Sequence, residues 1–446
     1  MIVSCANQLP PSGGDPDTLP PKIISVYPKP NTVLFKGNKL IFKFNEYVDR
    51  RSMQESFLIY PDPGGSFEFS WSGKETEITF EKGFKKNVTY LVTLGKDLKD
   101  VREGNMLGTP YRFAFSTGPK IDKGIIEGRV VSDNFDRVKI FGYKVNGRDL
   151  NPEKDIPEYI TGTNDSGFYS LVNLSEGKYR LFAVLDDDRN NLYGKDFESI
   201  SMLSEEALIS DSSETFAGAD FLLINPELKK SDKKFLNSLF ADPSGNLSSN
   251  IENNGKYILP DQRFYFQFKT FIKDKSDIVN NFSVYDSAAS KKFNLVFNWI
   301  NDSLLEVFST EKFSFSSKLK LIIDPEQQKE FSFSGSLNVI DKNNTGTIEG
   351  KIIMKDKSDA ELIVKLMEKD NYRNIYSKKL RGEEMFEFSG IPEGKYIIFA
   401  YIDANGNGEY DSGNYFPYKP SERISVYEKE LDLKGGWKIN NVFIRF

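Results

Sequence analysis

The sequence predicts an all-β chain made of tandem antiparallel β-sandwich domains, and three observations lead there. Aromatic residues make up 14% of the 446 positions, with 37 Phe and 21 Tyr, and such side chains favour half-buried, pleated strands over helices. Short alternating segments such as SFEFSW, TEITF, TYLVTL and RFAFST are separated by Gly, Asn, Asp and Pro, the pattern of antiparallel strands joined by turns. The stretch LSEGKYRLFAVLDDDRNNLY at residues 174–193 returns 217 residues later as IPEGKYIIFAYIDANGNGEY. Matching openings, GIIEGRVV from Gly124 and GTIEGKII from Gly346, extend that repeat to domain length rather than to a solenoid turn. At about 100 to 150 residues per domain the chain holds three or four domains, and the repeat favours four.

Residues 1–19 read as a tether. Cys5, the single cysteine, ends MIVSC and precedes the Pro/Gly-rich run ANQLPPSGGDPDTLPP. With one cysteine no intrachain disulfide forms. The segment resembles a bacterial lipobox, with aliphatic Ile2 three residues before Cys5 and small Ser4 immediately before it. The resemblance implies a lipidated cysteine as the first residue of the mature protein. Only four residues precede Cys5, too few for the apolar stretch of a signal peptide, so a longer upstream segment is expected. No other stretch approaches the ~18 consecutive apolar residues of a spanning helix, and membrane attachment is expected through lipid.

Residues 20–119 follow, with short strands and turn residues that read as a β-sandwich. The order of LPPKIISVYPKPN, then Phe42, Phe44, Glu46, Tyr47 and Val48, then a closing FAFST, resembles the bacterial Ig-like domain of the SbsA type. The opening as a whole is similar to Ig-like-domain lipoproteins of the Bacteroidota. Glu46 and Asp49 are expected to be edge and solvent charges. Residues 120–225 carry IIEGRVV and then TNDSGFYSLVNLSEGKYRLFAVLD, which resembles the prealbumin-like domain found as the regulatory appendage of carboxypeptidases and in surface-protein B repeats. Gly167 and Gly177 are expected in tight turns, with Phe168 and Tyr179 facing the core.

Residues 226–345 are read as a diverged second Ig-like domain with a leading linker. RFYFQFKTFIK aligns with KLIFKFNEYVD, and Trp299 answers Trp71. The matched tryptophans suggest core packing rather than a sugar platform. A short linker helix is expected over residues 226–240, the polar stretch DPSGNLSSNIENNG is expected as a loop, and the FAFST closing strand has no obvious counterpart. Residues 346–446 form the second prealbumin-like sandwich, so that Ig-like and prealbumin-like domains alternate.

The chain has no histidine, which excludes Ser-His and Cys-His catalysis and removes the commonest general base. There is no Gly-rich phosphate loop and no G-x-S-x-G elbow, so an enzyme is not expected, nor any organic cofactor. A formal charge of −6 without a basic, aromatic-interleaved cluster argues against nucleic acid.

The best chemical motif is DANGNGEYDSGN at residues 403–414. Asp403, Asn405, Asn407 and Asp411 take positions 1, 3, 5 and 9 of an EF-hand-like loop, with Gly408 at 6 and the Glu409 carbonyl at 7. Oxygen donors so spaced suit Ca²⁺, although Asn414 stands at position 12 and the flanks are strands. The loop also resembles those of calcium-binding surface B repeats. In the first copy Asp186, Asp188 and Asn190 match, but Asn191 and Gly194 replace the glycine and the ninth-position acid, so this loop reads as degenerate unless Asp196 or Glu198 rescues it. Asp17-Thr18-Leu19, together with the triplets at Asp286 and Asp302, matches the O-glycosylation pattern associated with Bacteroidota, with Thr18 the most accessible.

These readings point to a non-enzymatic outer-membrane lipoprotein, facing the periplasm or the cell surface. The lack of an acidic cluster after Cys5 favours the periplasmic leaflet. It would act as a structural or adhesive scaffold whose partners are the membrane, envelope proteins or polysaccharide. The alternative is a surface carbohydrate- or protein-binding module of a nutrient-uptake or adhesion system.

Overall fold

A computed structural model describes residues 16–132, 134–147, 149–223, 236, 239–251, 257–355, 360–369 and 375–446. Cys5 and most of the segment expected as a linker helix lie outside the described residues. The chain divides into two compact units, Met1–Leu223 with Ser412–Ser421 and Ile224–Asp411 with Glu422–Phe446. Nearly every regular element is a strand, and the fold is a series of antiparallel sandwiches.

In the first unit, strands Ile23–Tyr27, Lys39–Phe44, Glu75–Phe80 and Phe67–Ser72 pair in that order, and Phe57–Tyr60, Thr89–Leu94 and Tyr111–Ser116 form a second sheet. Alternation sends Leu40, Phe42, Ile78 and Phe80 from one sheet against Ile59, Tyr90, Val92 and Phe115 from the other. A short helix, Arg50–Ser56, crosses between the sheets, capped by Asp49, which accepts from the Ser52 N–H at 2.8 Å. Asp49 is therefore a helix cap and not merely a solvent charge.

The next sandwich pairs Tyr159–Gly162, Val138–Lys144, Gly177–Leu185 and Ile200–Met202, with Ala207–Ile209 on the far end of Gly177–Leu185. Its second sheet holds Phe168–Leu174 and Gly124–Val131, with Thr215–Ala217 and Phe221–Leu222 running parallel to the latter. Tyr179 is fully buried as expected, but Phe168 is exposed and Tyr169 takes the core position, donating its hydroxyl to Ala219 O at 2.6 Å. In a strand of period two, a one-residue error of phase exchanges the faces.

The second unit shows the same two plans. Leu247–Ser249, Arg263–Phe268, Leu304–Ser309 and Leu295–Trp299 pair in the order of the first sandwich, with Phe240–Ala241 added at one edge. The helix Lys275–Asn280, capped by Asp274, precedes a sheet of Lys291–Lys292, Phe282–Asp286, Lys318–Ile323 and Phe333–Asn338. Phe333–Asn338 is the closing strand that the sequence reading missed. The polar stretch expected as a loop contributes Leu247–Ser249 to the sheet, after a turn closed by Asp242 Oδ1 accepting from the Asn246 and Leu247 N–H groups.

The last sandwich repeats the second: Ile375–Arg381, Glu361–Glu368, Gly394–Ile402 and Ile424–Val426 in one sheet, with Leu431–Leu433 also on Gly394–Ile402, and Met385–Pro392, Thr345–Ile353 and Lys438–Arg445 in the other. Two repeated motifs now have physical reasons. The Tyr of EGKY donates its hydroxyl to a carbonyl four residues earlier in both copies, Tyr179 to Ser175 O and Tyr396 to Pro392 O. The Gly of IEG admits the neighbouring parallel segment. A Cβ at Gly128 would lie 2.1 Å from Ala219 O, and one at Gly350 would lie 2.2 Å from Val442 O.

Candidate metal centre

The second and the last sandwich each end a central strand in an acidic loop, and the two loops differ in how their carboxylates are satisfied. In the second copy, Gly394–Ile402 delivers Asp403 into a buried position, 4% exposed. Asp403 Oδ1 accepts from the Asn407 N–H at 3.1 Å and Oδ2 from the Gly408 N–H at 2.8 Å. Asn405 Oδ1 also accepts from the Asn407 N–H, Asn407 Oδ1 accepts from the Glu409 N–H, and Asn405 Nδ2 donates to Asp411 Oδ2 at 2.5 Å. Gly406 and Gly408, at φ +74° and +79°, let the chain curl inward so that its own N–H groups fill the place of a cation. Glu409 points to solvent. Among the described residues no three carboxylates of this loop draw as close together as those of the first copy, and both Asp403 oxygens are taken by the loop's own N–H groups.

Glu422, which the sequence reading did not single out, completes that closure. It is 8% exposed, and its two carboxylate oxygens accept from the Ala404 N–H at 2.7 Å and the Asp411 N–H at 3.1 Å. Burial, with Asp411 and Asp403 nearby, raises its pKa above the ordinary glutamate value.

The first copy holds the open arrangement. Gly177–Leu185 delivers Asp186, 1% exposed, and neither of its carboxylate oxygens has a hydrogen-bond partner. Burial, then the neighbouring Glu198 carboxylate, pushes the Asp186 carboxyl above its ordinary range, offset in part by the Asn191 N–H, which approaches outside hydrogen-bonding geometry. Asn191, at φ +60°, stands where the second loop has Gly408 at φ +79°, and its N–H does not make the 2.8 Å bond that the Gly408 N–H makes to Asp403. Asp188 Oδ1 accepts from the Asn190 N–H at 3.0 Å, Asp188 Oδ2 accepts from Asn190 Nδ2 at 2.8 Å, and Asn190 Oδ1 accepts from the Leu192 N–H at 2.6 Å. Glu198, 7% exposed, accepts from the Asp187 and Gly194 N–H groups, both at 2.7 Å. Oxygens of Asp186, Asp188 and Glu198 lie within 4.8 Å of one another, the one such acidic group among the described residues.

Thr18 is exposed, Ser287 is exposed and Ser303 is half-buried. Trp71 and Trp299 both pack against their cores, whereas Trp437 is 60% exposed.

Residues 17–117 match the family model of a bacterial Ig-like domain, so the chain carries such a domain at its first sandwich. No curated protein matches the chain. Among solved structures the chain is similar to an L,D-transpeptidase from Mycobacterium smegmatis, at 17% identity over 36% of this chain and 76% of that one, with a TM-score of 0.18. It is similar to the N-terminal part of the bacterial S-layer protein SbsC at 17% identity, covering 41% of this chain and 40% of that one, with a TM-score of 0.17. It is also similar to BcpA, the major pilin subunit of Bacillus cereus, at 12% identity over 72% and 99% of the two chains, with a TM-score of 0.16. The chain thus spans less than half of the S-layer fragment that it matches.

Proposed function

We propose that this chain is a non-enzymatic lipoprotein of a Bacteroidota cell envelope, anchored through Cys5, whose sandwiches form a structural or adhesive scaffold. The supporting observation is that successive sandwiches within a unit abut without a spacer. In the first unit the Asp122 N–H donates to Thr89 Oγ1 at 2.9 Å and Asn173 Nδ2 donates to Asp122 O at 2.9 Å, joining the strands on either side of the junction. In the second, the short connection between the sandwiches is held from both sides: Ser316 Oγ of the third sandwich donates to Asp341 Oδ2 at 2.8 Å, and the Glu393 N–H of the fourth donates to Asn344 O at 3.0 Å. Modules stitched in this way transmit load and hold distance better than modules on free linkers.

The test is expression with the native upstream sequence in a related bacterium, followed by intact-mass analysis and protease treatment of whole cells. An acylated Cys5 supports the envelope scaffold, and an unmodified soluble chain overturns it. A surface binding module is the second reading, favoured by the exposed Trp437 indole, since aromatic faces stack on sugars and anchor protein partners. Polysaccharide binding by the full chain that is lost in Trp437→Ala would select it.

A further inference from the structure

The geometry points to a binding site for a hard divalent cation of the calcium class in the loop over residues 186–198, built from Asp186, Asp188 and Glu198. This reverses the order that sequence spacing suggests, in which the second loop is the better site.

Three features carry the assignment. Asp186 is 1% exposed with both oxygens unpartnered. A buried carboxylate without a partner is costly unless something neutralises it, and among the described residues no salt bridge reaches it: Arg137 Nη1 pairs instead with Asp187 Oδ1 at 3.1 Å, and Lys139 offsets the charge only in part, without a salt bridge. Second, the oxygens of the three carboxylates lie within 4.8 Å of one another. Ligands of one Ca²⁺ at about 2.3 to 2.6 Å are separated by no more than about 5 Å, so the three oxygens fit one ion without moving a strand. Third, Glu198 is held in place beforehand by the Asp187 and Gly194 N–H groups, each using one lone pair and leaving others to face the ion.

The donors are all oxygen, which selects against thiophilic and imidazole-seeking metals. Asp188 is exposed, so water completes the coordination sphere on that side. An open site on a loop suits calcium better than magnesium, which demands a near-ideal octahedron. The expected affinity is that of extracellular modules, with a Kd of about 0.1 to 1 mM.

The experiment is calcium titration of the full chain after EDTA treatment, by calorimetry and by melting, on the parent, Asp186→Asn and Asp403→Asn. The parent and Asp403→Asn are expected to bind one equivalent and to melt higher with calcium, with a smaller response to magnesium. Asp186→Asn should lose both responses. In EDTA, Asp186→Asn should melt at or above the parent, because the amide removes an unpaired buried charge. That outcome also shows that the variant folds. A parent that binds no calcium up to about 10 mM, an Asp186→Asn variant that titrates like the parent, or one that melts lower in EDTA overturns the proposal.

Discussion

Glu198 and Glu422 make the same closure in two copies of one fold. Glu198 accepts from the N–H groups of Asp187 and Gly194, and Glu422 from those of Ala404 and Asp411. Each stands two residues before the isoleucine that begins an edge strand, Ile200 and Ile424. Replacing Glu422 with Ala removes the charged acceptor of two part-buried N–H groups, at a cost of about 1.5 to 3 kcal/mol. Glu422→Gln retains an acceptor and should cost less. Denaturant unfolding of the full chain, monitored at Tyr410 by local proteolysis, checks the ranking, and equal losses in the two variants would remove the hydrogen-bond account.

That pair also shows what sequence could and could not convey. The E-x-I-S run at Glu198 recurs at Glu422, 224 residues on, whereas the strands ahead of it repeat at 217. The extra residues fall between Asp411 and Glu422, so an alignment at constant spacing passes over the second acid. Strand patterning was legible because alternation and turn residues are local signals. The Arg50–Ser56 helix was not, since seven residues are too few to show a 3.6-residue period. Nor was the orphaned Asp186, whose distinction from Asp403 rests on whether the N–H five residues on reaches it.

The helix that sequence missed supports a cation over an indole in both the first and the third sandwich. The Arg50 guanidinium lies 5.5 Å from the Trp71 ring centre, and Lys275 Nζ lies 5.2 Å from that of Trp299. Both sites are partly open, so each contact is worth about 0.5 to 1 kcal/mol. Double-mutant cycles of Arg50→Ala with Trp71→Leu, and of Lys275→Ala with Trp299→Leu, should return coupling of that size. Additive losses would reduce the recurrence to shared packing.

Asp277 supplies a pH dependence. Burial alone would raise its carboxyl, but the N–H groups of Gln327, Glu326 and Gln328, at 2.9, 2.7 and 3.2 Å, hold it below the ordinary aspartate value. The unfolded chain therefore binds its proton more tightly than the folded one does. The stabilisation is complete above the unfolded value of about 3.9 and is lost as pH falls through the lower folded value. Asp277→Asn should be less stable than the parent at neutral pH, with the gap closing under acid. A gap that stays constant down to about pH 3 contradicts the assignment.

Gly128 and Gly350 should tolerate no side chain. A methyl at either position meets a carbonyl oxygen of the adjoining segment, Ala219 O or Val442 O, near 2 Å, and the obstacle is backbone rather than a movable side chain. Gly→Ala at each site is expected to cost about 3 kcal/mol or more. Thermal unfolding with fragment mapping should show early loss of the second sandwich for Gly128→Ala and of the fourth for Gly350→Ala. Unchanged melting in either variant would mean that the parallel strand moves away at little cost.

Segment Ser412–Ser421 belongs to the first unit, where it covers a sheet face that is apolar on both sides. Phe141, Tyr143 and Phe182 are fully buried on that outer face, and Tyr415 and Tyr418 pack over the cluster they form. The Arg180 guanidinium lies 3.9 Å from the Tyr418 ring centre, the Tyr418 hydroxyl donates to Leu203 O at 3.1 Å, and Ser421 Oγ donates to Met202 O at 2.9 Å. The Tyr415 hydroxyl donates to Glu153, and that bond, followed by burial, lifts its pKa to about 12. Tyr418→Ala removes the ring that closes the face, while Tyr418→Phe removes only the hydroxyl bond. The alanine variant should open the segment to a broad-specificity protease at least tenfold faster, a change of about 1.4 kcal/mol in local opening, with the phenylalanine variant close to the parent. Equal cleavage in parent and alanine variant would show that the ring is not what holds the segment down.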